Sequence, residues 1–101
     1  MIDESDLYGF IGNGRKVVAA AGTAECLVAA STPCKRILMM AETDNTGVIV
    51  FGGSTVIAAQ ATRSGVPLNA GDSVVIVTND LNKVYLDTTV NGDGVTYTYY
   101  H

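Results

Sequence analysis

Asn91-Gly92-Asp93-Gly94-Val95-Thr96-Tyr97-Thr98-Tyr99-Tyr100 is the stretch whose reading decides the rest. Its first four residues are the strongest hairpin signal in the chain, because Asn and Gly reach the positive-φ conformations that tight turns require. The next six alternate: Val95, Tyr97 and Tyr99 share one side, and Thr96, Thr98 and Tyr100 the other. Successive side chains of a strand point to opposite faces, so this is a half-buried strand with one core side.

Working outward, turn residues recur every eight to twelve positions, and no stretch with a 3.6-residue period lasts three turns. Strands are expected over residues 15–21, 23–30, 34–42 and 48–51, separated by Gly22, by Ser31-Thr32-Pro33 and by Thr43-Asp44-Asn45-Thr46-Gly47. Residues 54–59 read as a fifth strand or an irregular edge segment, since alanines fit a sheet poorly. Residues 60–68 contain Gly65 and Pro67 and belong at an edge. After the turn Asn69-Ala70-Gly71-Asp72 comes a strand over residues 73–78. Asn79-Asp80-Leu81-Asn82 is a connection with one 3₁₀ turn and Leu81 pointing inward, and residues 83–88 form the next strand. The expected fold is all-β: an antiparallel β-sandwich of about eight short strands.

Two of these strands break the alternation. Val74-Val75-Ile76-Val77 and Val48-Ile49-Val50-Phe51 are apolar on both faces. In an antiparallel sandwich one face normally meets water, so the outer face of at least one sheet should be covered, most simply by self-association. The composition agrees. The 101 residues suffice for one domain, 48% are hydrophobic, and only 16% are charged, against about 25% in an average domain.

A net charge of −4, with the six basic residues in two adjacent pairs, Arg15–Lys16 and Lys35–Arg36, plus the isolated Arg63 and Lys83, argues against direct nucleic-acid binding. No apolar run of about 18 residues is present to span a membrane. The start, Met1-Ile2-Asp3-Glu4, is acidic where a signal peptide is basic, so synthesis and folding in a cytoplasm are expected. Cys26 and Cys34 fit that compartment as free thiols. A hairpin about Thr32 would put Cys34 opposite Ala30 and Cys26 opposite Leu38, too far out of register for a disulfide.

Residues 1–14 stand apart from residues 15–101, the sandwich domain. Asp3, Glu4 and Asp6 precede the apolar Leu7, Tyr8, Phe10 and Ile11, then Gly12-Asn13-Gly14. The segment is either a frayed terminus or an extended N-terminal arm whose apolar residues dock on a neighbouring subunit.

Catalysis needs a tuned acid or base, an activated nucleophile or a metal. The one histidine is His101 at the end of the chain, two cysteines do not complete a zinc site, and the expected turns take up Asp44, Asp72, Asp80 and Asp93. Asn91-Gly92-Asp93-Gly94 lacks the downstream glutamate of a calcium loop. No enzyme activity, cofactor or metal is expected. Residues 67–74, Pro-Leu-Asn-Ala-Gly-Asp-Ser-Val, resemble the turn-and-strand phrase of cupin jelly rolls, in which glycine turns the chain and aspartate ties down its backbone. The cupin metal ligands are missing, which leaves a cupin-like enzyme the weakest reading. Tyr97, Tyr99 and Tyr100, with Tyr85 one strand away, read either as packing residues or as an aromatic stripe that stacks on a host glycan. Tyr85 and Tyr100 join Leu7, Tyr8, Phe10 and Ile11 as candidate contact residues.

From about Ala20 onward the chain resembles small structural proteins of tailed bacteriophages. The phrases that carry the likeness are Pro33-Cys34-Lys35-Arg36, residues 41–52, residues 67–73, residues 80–87 and Val90-Asn91-Gly92-Asp93-Gly94-Val95. The resemblance implies a jelly-roll β-sandwich serving as a head decoration (cement) protein or a tail component of the virion. It also implies a homotrimer that contacts the major capsid protein or other virion proteins, with no catalytic motif.

Overall fold

The computed structural model describes residues 11–100 and contains eight strands in two four-stranded antiparallel sheets. The strands are β1 (Ile11–Val17), β2 (Glu25–Cys26), β3 (Arg36–Ala41), β4 (Ile49–Gly52), β5 (Val66–Leu68), β6 (Ser73–Ile76), β7 (Tyr85–Thr88) and β8 (Gly94–Tyr100). Sheet one runs β1-β8-β3-β6 and sheet two β2-β7-β4-β5. The pairs β1·β8, β2·β7, β3·β6 and β4·β5 are nested, as though one long hairpin with its tip at β4–β5 had been rolled up. That order is a jelly roll.

The core forms where the inner faces of the two sheets meet. β3 shows the required alternation: Ile37, Met39 and Ala41 are buried while Arg36, Leu38 and Met40 are exposed. Ile49 and Leu86 from sheet two, Val95 and Tyr97 from β8, and Leu81 complete the cluster. Leu81 opens a 3₁₀ turn, Leu81–Lys83, and plugs the core as expected; the Asp80 carboxylate caps that turn by accepting from the Asn82 N–H. On β1, Gly12 and Gly14 lie opposite Tyr99 and Tyr97, and a Cβ at either glycine would run into the tyrosine ring across from it. The two glycines thus make room for rings that close the core beneath an edge strand.

Several expectations are corrected by the pairing. β1 begins at Ile11 rather than Arg15, and residues 18–21 leave the sheet. Ser31-Thr32-Pro33 is not a hairpin, because β2 belongs to sheet two and β3 to sheet one. Cys26 consequently lies opposite Tyr85 and Cys34 is buried in the core; both are free. Asn91-Gly92-Asp93-Gly94 is likewise a crossing between sheets, from β7 to β8, and not a hairpin. The turn chemistry was read correctly, with Gly92 at φ +90°. A turn signal does not say which strand the chain pairs with next. At Asn69-Ala70-Gly71-Asp72 the expectation holds in detail: Gly71 has φ +84°, and the Asp72 carboxylate accepts from the Asn69 N–H at 2.9 Å.

Residues 54–59 are not a strand. Val56 and Ala58 instead fold over the outer face of sheet two and bury Val50, with Ala24, Val48 and Tyr85 packed around them. Asp87, on the same outer face and itself buried, anchors this cover. Its carboxylate accepts the N–H groups of Ala58 and Gly22 at 2.8 Å each and of Thr88 at 2.9 Å. The two-faced apolarity of β4 is therefore explained within the chain and needs no partner. β5, with Pro67, lies at the edge of this sheet as its sequence requires.

Candidate interaction surface

Among the described residues, sheet one has no such cover. The alternation that sends Ile37 and Met39 inward sends Leu38 and Met40 outward, and the register aligns them with their neighbours in two ranks. Asn13, Thr98, Leu38 and Val75 form one rank, and Arg15, Thr96, Met40 and Ser73 the next. Beyond them, at the end of the sheet, stand Ile11, Tyr100 and Arg36. Exposure is 40% at Leu38, 41% at Met40, 57% at Val75, 77% at Val77 and 72% at Ile11. These large apolar side chains lie together on one face instead of being scattered over the surface.

The face is not flat. The short Thr96 and Thr98 side chains of β8 floor a shallow groove of about 620 Å³, walled by Leu38 and Met40 on one side and by Asn13 and Arg15 on the other. Arg15 is held over the groove by a two-pronged ion pair with Glu42, its Nη2 donating to Oε1 at 3.0 Å. The pairing raises the guanidinium's pKa, first through the hydrogen bond and then through the charge of Glu42. Arg36 makes no ion pair among the described residues. Apart from Glu42, no acidic residue occupies the outward positions of this sheet.

The candidate contact residues divide. Leu7, Tyr8 and Phe10 lie outside the described residues. Ile11 and Tyr100 are brought together as cross-strand partners on the open face. Tyr85 is on sheet two, half-buried under the 53–65 segment, and takes no part. Leu38 and Met40 stand inside the face on β3, Val75 on its edge strand β6, and Val77 just past the end of β6. For the last two the signal was the two-faced run Val74–Val77; the same signal lies in Ile37-Leu38-Met39-Met40, where it had not been singled out.

The tyrosines do not form an exposed stripe. Tyr97 and Tyr99 point inward with ring centroids 6.3 Å apart, burial pushes the Tyr97 phenol up, and only Tyr100 is on the open face. Most carboxylates among the described residues are engaged with backbone, among them Asp80 with Thr32 and Asn82, Asp93 with Thr46 and Gly47, and Glu25 with Ala19 and Ala20. Among the described residues no group of three or more His, Cys, Asp or Glu could hold a metal ion, and no helix is long and apolar enough to cross a membrane. Comparison with protein-family models, with curated proteins and with solved structures finds no match to this chain.

Proposed function

We propose that this chain is a structural subunit of a bacteriophage virion, a capsid decoration (cement) protein that assembles and binds through the open face of sheet one. The observation that carries the assembly part is the asymmetry of the sandwich. Part of the chain, tied down by Asp87, covers the outer face of sheet two, while among the described residues nothing covers Leu38, Met40 and Val75 on sheet one. The turn-and-strand phrases that resemble phage structural proteins supply the particle. A protein that binds only the assembled shell stabilises it by mass action, with no chemistry required. Closed symmetry, a trimer on this reading, supplies many copies and covers apolar surface at the same time.

Electron cryomicroscopy of the particle to which the chain belongs is the direct test. Density for this sandwich in threefold clusters outside the head, with sheet one facing a neighbour, is the expected result. A head without that density overturns the head placement, and a chain that co-purifies with no particle overturns the reading.

A further inference from the structure

Building on the proposed assembly through sheet one, we infer that the groove on its open face receives residues 1–10 of a second copy of this chain, with Leu7, Tyr8 and Phe10 against Leu38 and Met40. Three observations on the face and the sequence converge. The first is area. Four strands about 4.8 Å apart, over three ranks of side chains, outline roughly 400 Å². A stable interface needs about 800 Å² per partner. Large side chains such as Tyr and Phe bury about 150–250 Å² each, so Leu7, Tyr8 and Phe10 supply what the sheet alone lacks.

The second is charge. Residues 1–10 hold Asp3, Glu4 and Asp6 and no basic residue. The end of the open face presents Arg36, which has no ion-pair partner among the described residues. The third is where the segment joins. It enters at Ile11, at the Tyr100 end of the sheet, while the groove runs away from that point along Asn13 to Arg15. To reach its own groove the segment would have to reverse at once. A tight reversal takes two residues, and these would be Gly9 and Phe10. Phe10 would then be spent in the turn, whereas a neighbouring copy can lay all three apolar side chains into the groove.

The experiment uses the full chain. One preparation carrying Tyr8→Cys is mixed with a mass-tagged preparation carrying Thr98→Cys under mild oxidation. Self-association of the triple Leu7→Ser/Tyr8→Ser/Phe10→Ser variant and of Met40→Asp is measured alongside by sedimentation equilibrium. The expected result is a mixed disulfide dimer and self-association weakened about tenfold or more in both variants. An oligomer of unchanged strength in the triple variant, with no mixed dimer, overturns this inference and leaves assembly through the sheet standing. An intramolecular disulfide in a doubly substituted chain, with no mixed dimer, also overturns it. A full chain that is monomeric throughout overturns both.

Discussion

Asp87 shows how much one buried carboxylate can organise. Among the described residues it makes no ion pair; backbone N–H groups from three places in the chain satisfy it, and two of those belong to segments packed against sheet two. Asp87→Asn keeps the shape but turns one acceptor into a donor facing an N–H. The expected cost is about 2–3 kcal/mol, read as a fall in the midpoint of denaturant unfolding. Gly94 is a second constrained residue, since a Cβ there would sit 2.6 Å from the Lys16 carbonyl oxygen and press on the backbone of β1. Gly94→Ala should therefore lower stability by about 2–3 kcal/mol, or roughly 8–24 °C in Tm. Of these roles the sequence announced only the class. The turn roles of Asp72 toward Asn69 and of Asp80 toward Asn82 were legible because those partners are three and two residues away. Two of the three partners of Asp87 are 65 and 29 residues distant, and no local pattern encodes those two.

At the level of elements, the crossings between sheets are held by side chains that imitate strand pairing. Asn45 donates through Nδ2 to the Gly94 carbonyl and accepts the Gly94 N–H through Oδ1, both at 2.9 Å, while Asp93 accepts the N–H groups of Thr46 and Gly47. Strand existence was readable from alternation and turn spacing for most of the chain. Sheet membership was not. Turn residues look the same whether they join hydrogen-bonded neighbours or cross the sandwich, so residues 31–33 and 91–94 carry a hairpin signal and yet cross between sheets. Two of the connections carry acid-sensitive contacts. The hydroxyl of Ser31, with the N–H groups of Asn82 and Thr32, holds Asp80 below the usual carboxylate range; the Ala20 N–H, with Lys16, does the same for Glu25. Both carboxyls titrate lower folded than unfolded. Their contribution is thus complete above the unfolded value, about 4, and is lost as pH falls through the folded value. Urea unfolding from pH 7 to pH 2 should show stability declining over that acid range. Asp80→Asn should flatten the decline, and an unchanged profile would remove Asp80 from the account.

For the whole molecule, the two sheets solve the same problem in opposite ways. Apolar runs on both faces of β4 and β6 gave the same expectation, an external cover, and the structure separates them: β4 is covered by residues 53–65, and β6 is left open among the described residues. That separation depends on the path of a segment with weak strand propensity, which periodicity does not reveal. It also confines the argument for assembly to one surface. Leu38, Met40 and Val75 are exposed outside the core, so Leu38→Lys and Val75→Lys should change the unfolding stability of the monomer by no more than about 0.5 kcal/mol. The same substitutions should act strongly on association. Sedimentation velocity of the full chain at micromolar concentration, beside Leu38→Lys/Val75→Lys, is the most direct test. The account predicts an oligomer for the natural sequence and a folded monomer for the variant. A natural chain that sediments as a monomer, or an oligomer indifferent to the two lysines, would contradict it.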